Sequence, residues 1–228
     1  FLSFWNNHHL LQLFNRPKWR TIKGGSDTYI RAVIDQINLN YVTNHPIQRI
    51  ERNKNHVILY GPNGAERFDG VVIATHADQA LTMLATPSEQ EQTLLGQWGY
   101  SQNQTILHQS KSLVPKNRSG WASWIYTRHN DDRMTATYWM NRLQGLSSQA
   151  DYFVTLNSQQ SIPKNEVLYE TNYEHPMMTK ASIATQTDLD SLNGYLNTYF
   201  CGSYFGNGFH EDGISAAVNV GKHLECQF

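Results

Sequence analysis

The chain has 228 residues, a formal net charge of −1, 12% aromatic residues and a mean hydropathy of −0.54. That length can bury a sizeable core, as one large domain or two small ones. The near-neutral balance, with no block of like charge, speaks against a nucleic-acid or membrane-surface role, both of which need concentrated Lys and Arg.

The opening FLSFWNNHHLLQLF has neither a basic n-region nor a small-residue cleavage site, so no signal peptide is expected. No apolar run approaches the roughly 18 to 20 residues of a membrane span. The absence of an initiator Met reads as a piece of a longer protein. His8-His9 has no third ligand at a useful spacing, so no metal site is expected.

GGSDTYIRAVIDQI (24–37) predicts a helix with Ser26 as N-cap, Asp27 in the first turn, and Ile30, Val33, Ile34 and Ile37 on one face. Short strands are expected at Tyr41–Thr43 and Ile47–Glu51. HVILYGPNGAERFD (56–69) reads as a hairpin turning at Pro62-Asn63-Gly64. VVIAT (71–75) is a continuous β-branched run, the pattern of a parallel strand covered on both faces. A helix is expected from Ala77, and SEQE (88–91) is a capping box for another running to about Gln97.

From Ser101 to Tyr173 the texture changes. QTILHQ, GWASWIYT, MTATYWMN, DYFVTLN and EVLYETNY are short aromatic and β-branched runs between polar turns, which predicts an antiparallel sheet. QTDLDSLNGYL (186–196) reads as one more helix. Cys201 lies in a strand-like run and is expected to be a small core residue; a disulfide with Cys226 has no support from spacing, and a reduced cytoplasmic protein is the default expectation.

CGSYFGNGFHEDGIS (201–215) combines a strand end, a glycine loop and a helix start at Gly213-Ile214-Ser215. Ile214, Ala217, Val218 and Gly221 are expected on one face, small enough to pack close to a sheet or a flat ligand. A loop entering a helix N-terminus offers backbone N–H groups to an anionic or electron-rich ligand edge. The plainer reading is a glycine-rich turn joining strand to helix. The dinucleotide pattern GxGxxG fails here: Gly206-x-Gly208 is followed by Glu211 at the third position, and no second strand completes a βαβ unit.

Three groups in order, WRTIKGGSDTYIRAVI, NHPIQRIERN and ERFDGVVIATHADQALTML, together with the C-terminal TYFCGSYFGNGFHEDGISAAVNVGKHL, resemble the flavin-containing amine oxidase superfamily. The GFHEDG, HxLLQ, RPxW, GGS and WMN groups resemble its bacterial NAD/FAD-binding amine-oxidase branch. The resemblance implies a mixed α+β / α/β fold. A partial FAD-binding domain (1–97, with 1–17 leading to the substrate domain) precedes a mainly antiparallel substrate domain (98–185), and 186–228 returns to the FAD domain. It also implies that the family's N-terminal GxGxxG unit is missing, so that the fragment alone holds FAD weakly or not at all and is inactive.

The same resemblance assigns cofactor positions. Gly24, Gly25 and Ser26 match the GG loop, and Ile47 matches the residue whose backbone meets the adenine. Thr75 and His76 end the strand near the cofactor. Gly202 and Ser203 lie beside the ribityl chain and pyrophosphate. Phe209 to Ile214, including Asp212 and Gly213, match the loop and helix start facing the flavin ring. FAD would be held non-covalently, no cysteine standing where some relatives attach it. Tyr204 stands where monoamine oxidases carry an acid.

Among catalytic candidates, Phe209 corresponds to an aromatic that walls the substrate site. His210, beside Glu211 and Asp212, is the acid/base candidate, a neighbouring carboxylate favouring its protonated form. The alternative is that Glu211 and Asp212 cap the following helix. Trp121, Trp124, Tyr126, Tyr138 and Trp139 are either further walls or core of the β-rich part, and on one strand Tyr138 and Trp139 face opposite ways. His108 and His129 read as strand or turn residues. The expected partner is a small molecule, an amine by the family's label. The aromatic-rich insert also fits a fatty-acyl substrate, oxidised as related desaturases do, and a non-catalytic binding module is the remaining alternative.

Overall fold

The computed structural model describes residues 14, 20–37, 40–130 and 133–226. His8-His9 and the HxLLQ and RPxW groups lie outside the described residues. The chain divides into two compact units. One holds Asn40–Ser101 and Pro176–Phe228; the other holds Gln102–His175 with the described residues between Trp5 and Leu39. Among the described residues the divisions fall after 39, 101 and 175, against expected boundaries after 97 and 185, so residues 20–37 group with the sheet and not with 40–101.

Helix α1 (Asp27–Gln36) appears where predicted, but Ser26 makes no side-chain capping bond. Its backbone is already helical (φ −66°, ψ −22°), whereas a capping residue needs an extended one. Thr28 Oγ1 instead donates to the Gly25 carbonyl at 2.8 Å. No residue of α1 is buried, and Ile30, Val33 and Ile37 are exposed.

In the first unit, β1 (Arg49–Arg52), β2 (Val57–Gly61) and β3 (Gly64–Phe68) form an antiparallel meander. The hairpin turns at the predicted Pro62-Asn63, with Gly61 opposite Gly64. Tyr41–Thr43 is not a strand, and β1 starts two residues later than expected. Strand β4 (Val71–Ile73) is followed by α2 (Ala77–Met83) and α3 (Glu89–Leu95). The capping box at α3 forms as predicted: Ser88 Oγ accepts from the Glu91 N–H (3.1 Å), and Glu91 Oε2 accepts from the Ser88 N–H (2.7 Å).

The second unit is built on a five-stranded sheet in the order β6-β7-β8-β5-β9. Its strands are β5 (Tyr100–His108), β6 (Trp124–Arg128), β7 (Met134–Trp139), β8 (Phe153–Leu156) and β9 (Val167–Pro176). The pairings β6·β7, β7·β8 and β5·β8 are antiparallel, as the alternating runs predicted. A short helix α4 (Met140–Gln144) follows β7 and ends at Gly145 in the left-handed region.

The chain returns through α5 (Lys180–Thr185), which the sequence reading missed. The helix expected over 186–196 is instead two 3-10 turns, Leu189–Leu192 and Tyr195–Asn197, broken at Gly194. Strand β10 (Thr198–Phe200) then pairs in parallel with β4, Thr198 opposite Val71 and Phe200 opposite Ile73. Val72 of β4 is 44% exposed, so this strand is parallel as predicted but not covered on both faces. Helix α6 (His210–His223) closes the described fold and starts three residues before the expected Gly213. The first unit's core gathers Ile50, Ile73, Leu95, Trp98, Leu189 and Phe200, with Trp98 Nε1 donating to Thr185 Oγ1 (3.1 Å).

Candidate functional site

Strands β4 and β10 run in the same direction and end side by side, which brings the residues just beyond them together. Cys201 N–H donates to the Ile73 carbonyl (3.2 Å), carrying the ladder one step further. A Cβ added to Gly202 would lie 3.6 Å from the Thr75 carbonyl oxygen. Thr75, Gly202 and Ser203, three of the predicted cofactor positions, therefore meet at one place. Open α/β sheets bind ligands in this position, outside the carboxyl ends of parallel strands.

The turn after β4 is held from behind. The His76 ring stacks on Tyr100 at 4.1 Å, and the Ala77 N–H donates to Tyr100 Oη at 3.0 Å. Beside β4 lies a trough of about 780 Å³ whose lining includes Pro46, Ile47, Ile73, Thr75, Gln79 and Met83. It joins Ile47, the expected adenine contact, to Thr75. Gly24, Gly25 and Ser26 belong to the second unit.

The loop from Gly202 to Phe209 folds on itself. The Gly202 carbonyl accepts from Phe205 N–H (3.2 Å), and the Ser203 carbonyl accepts from Gly206 N–H and Gly208 N–H, each at 3.1 Å. Two of its glycines are required by this packing. A Cβ on Gly202 would sit 2.7 Å from the Tyr204 ring, and one on Gly206 would collide with the Asp212 carboxylate. Tyr204 is buried, and among the described residues its hydroxyl has no hydrogen-bond partner. Burial, with Tyr100 and Cys201 nearby, pushes its pKa well above the ordinary phenol value.

At the start of α6, Asp212 Oδ2 accepts from the Phe209 N–H (2.9 Å), so this acid serves the helix and its loop. His210 and Glu211 are exposed at the first turn of α6. Phe209 and Ile214 are exposed as well. The face of α6 that packs is Ala216 and Val220, against Cys201, with Tyr199 and Phe205 alongside. Of the expected stripe, Gly221 is buried whereas Ile214 and Ala217 lie open. Cys201 is buried and unpaired, its thiol raised by burial.

In the second unit the candidate wall residues separate. Trp121 packs edge-on against Trp139 (5.1 Å) and Phe153 (5.4 Å), forming core. Asp151 anchors that core: it takes both Arg118 nitrogens at 3.0 Å and the Trp139 N–H at 3.2 Å. Trp124 and Tyr126 remain exposed, and Tyr138 is half-buried. His108 is buried on β5 and bonded to Thr155 Oγ1 (2.8 Å), and His129 bonds Thr135 Oγ1 (2.9 Å) from the turn after β6. Missed by the sequence reading were Tyr169 and Tyr173 on β9, whose spacing of four residues already placed them on one side of a strand. Among the described residues, no helix is long and apolar enough to cross a membrane.

No protein-family model and no curated protein matches the chain. Solved structures do. A protein from Exiguobacterium sp. 255-15 assigned as a protoporphyrinogen oxidase matches with a TM-score of 0.64 at 14% identity, covering 99% of this chain and 57% of its own. Cyclohexylamine oxidase from Brevibacterium oxydans IH-35A matches with a TM-score of 0.61 at 13% identity, over 89% and 53%. A fatty acid isomerase from P. acnes that produces CLA matches with a TM-score of 0.60 at 10% identity, over 88% and 52%. The chain spans little more than half the length of these structures, and its fold, a mixed α/β arrangement with antiparallel sheets, is that of one part of an amine-oxidase-type structure.

Proposed function

We propose that the chain is part of a longer FAD-dependent oxidoreductase. Its first unit supplies later segments of the cofactor site, and its sheet unit supplies the substrate side. The observation that carries this reading is the meeting of Thr75 with Gly202 and Ser203 at the ends of β4 and β10, on a loop that runs directly into α6. That geometry and the trough joining Ile47 to Thr75 both suit FAD. The half-length match to oxidase structures supports the same reading.

The first-unit residues that would hold FAD non-covalently are Ile47, Thr75, Gly202, Ser203, Gly213 and Ile214; Gly24, Gly25 and Ser26 keep only their likeness to the family's GG loop. When bound, FAD accepts a hydride from a substrate C–N or C–C bond. The chain's own part is to orient and to exclude water, with Phe209 as an apolar wall. Backbone N–H groups at the start of α6 favour negative charge beside them. With Asp212 tied to the Phe209 N–H, His210 and Glu211 are the groups able to handle a proton. Free Cys201 and Cys226 suit a reducing, cytoplasmic setting.

The test is flavin retention by the full-length protein. It is expected to purify yellow and to keep visible flavin absorbance through desalting, while the isolated chain loses it. A full-length protein that purifies colourless and takes up no added FAD would leave the binding-module reading in its place.

A further inference from the structure

The two faces of the five-stranded sheet differ in kind. On one, Phe153 packs with Trp121 and Trp139, and buried His108, Thr155 and Thr137 form a hydrogen-bonded chain at 2.8 and 2.9 Å. The other carries exposed aromatic side chains. The registers Trp124↔Tyr138, Tyr138↔Val154 and Val154↔Leu107 set these four residues in one row across four strands. Tyr126, two residues along β6, shares their face.

Strand β9 adds to it. Gln104 Nε2 donates to Glu170 Oε1 (2.6 Å) and Gln102 Nε2 donates to Glu174, so both glutamates lie on the face opposite Leu107. Alternation then puts Tyr169 and Tyr173 on the same face as Trp124. Trp124, Tyr126, Tyr169 and Tyr173 are 40%, 61%, 59% and 53% exposed. Burial, with Tyr126 nearby, raises the Tyr138 pKa, so its hydroxyl adds no charge to this face.

Charge and size narrow what such a face can hold. No Asp or Glu of the five strands points to it, and among their described residues the formally charged side chain it carries is Arg128. An ammonium drawn onto these rings would gain only about 0.5 to 2 kcal/mol from cation–π attraction, with no carboxylate of the five strands on this face to offset lost hydration. A hydrocarbon chain instead gains about 0.8 kcal/mol for each CH₂ buried. Four strand spacings by six residues give a face about 20 Å square, on the order of 400 Å². A stable protein interface takes about 800 Å² from each partner, so a second copy of the chain is too large an occupant.

We propose that this face binds an apolar chain with an uncharged or anionic head, of the fatty-acyl class, and that Trp124, Tyr126 and Tyr138 select it over an amine. As a statement about substrate, this rests on the oxidoreductase reading; as a statement about binding, it does not.

The test is calorimetric titration of the full-length protein with decanoate, decanol and decylamine, each below its aggregation concentration. Decanoate and decanol are expected to bind at least about tenfold more tightly than decylamine. Tyr126→Glu, at an exposed position, is expected to reverse that order, while Tyr126→Gln, the uncharged control, keeps it. Equal or tighter decylamine binding, no chain binding, or no effect of Tyr126→Glu overturns the proposal. So does a dimer on size-exclusion that Tyr126→Glu dissolves. A protein without flavin that still shows this preference would remove the oxidoreductase reading alone, and a yellow protein that binds no chain would remove this proposal alone.

Discussion

The Tyr204 ring fills the space that a side chain at Gly202 would need, Cε1 standing 2.7 Å from where its Cβ would be. The ring cannot withdraw easily, because it is wedged against Trp98 (5.7 Å) and Phe205 (4.9 Å) in the core. Gly202→Ala is therefore expected to destabilise the first unit by about 1–3 kcal/mol. Denaturant titration should show a lower midpoint at an unchanged slope. An unchanged midpoint would mean that the loop yields at no cost.

Arg52 and Glu91 carry the same unit's buried charge. Their side chains are 0% and 1% exposed, with Nη1–Oε1 at 2.5 Å and Nη2–Oε2 at 2.9 Å. Burial alone would raise the Glu91 carboxyl, but the Arg52 guanidinium and the Ser88 N–H outweigh it and hold its pKa below the usual carboxylate range. Glu91→Leu leaves a buried cation and opens the cap of α3, so a loss of about 3–5 kcal/mol is expected. Arg52→Met with Glu91→Leu should lose less than Glu91→Leu alone. The comparison of unfolding free energies fails if the double variant is the less stable.

His108 gives the sheet unit an acid sensitivity. Burial lowers its pKa from the ordinary value, outweighing the opposing Ser110 backbone and Glu166 charge. Above about pH 6.5 the ring is neutral in both folded and unfolded chains and contributes no pH dependence. Below it the unfolded chain binds a proton that the folded one resists, so stability falls as pH drops through that value. His108→Asn, which can still bond Thr155, is expected to flatten this part of the stability–pH curve. An identical slope in the variant would assign the loss to other groups.

Elements whose signal is local could be read directly. SEQE capped its helix and Pro62-Asn63 turned its hairpin because each needs only near neighbours, and the β-branched and aromatic runs at 71–73 and 198–200 became strands that pair with each other. The 186–196 segment has helical leucine spacing, yet Asn193 Oδ1 takes the Phe200 N–H (2.7 Å) and Gly194 turns at φ 93°, so tertiary bonds overrode the pattern. Helix α5 was missed because its cap pairs Thr179 with Ser182, without the Glu or Gln that marks a capping box.

The site was legible in outline. Residues 202–214 form a loop entering a helix, and the ends of two strands meet there. The reason for the glycines was not legible, since Gly202 answers to Tyr204 and Gly206 to Asp212, contacts that depend on how the loop coils. The aromatic walls divided only once cross-strand partners were known. Alternation separates Tyr138 from Trp139, but only the register against Phe153 says which of them faces the core.

The chain leaves the first unit along β5 and returns along β9, its neighbour in the sheet order, with the Met177 N–H bonded to the Gly99 carbonyl at 2.8 Å. The two points at which the chain enters and leaves the sheet are therefore adjacent, apart from the separate passage between units at Leu39–Asn40. Recombination at Gly99 and Met177 could lift out the whole sheet and graft another in its place, and a short turn would be enough to rejoin the cut. A scaffold wired in this way can change what it recognises without rebuilding the strand ends where Thr75 meets Gly202.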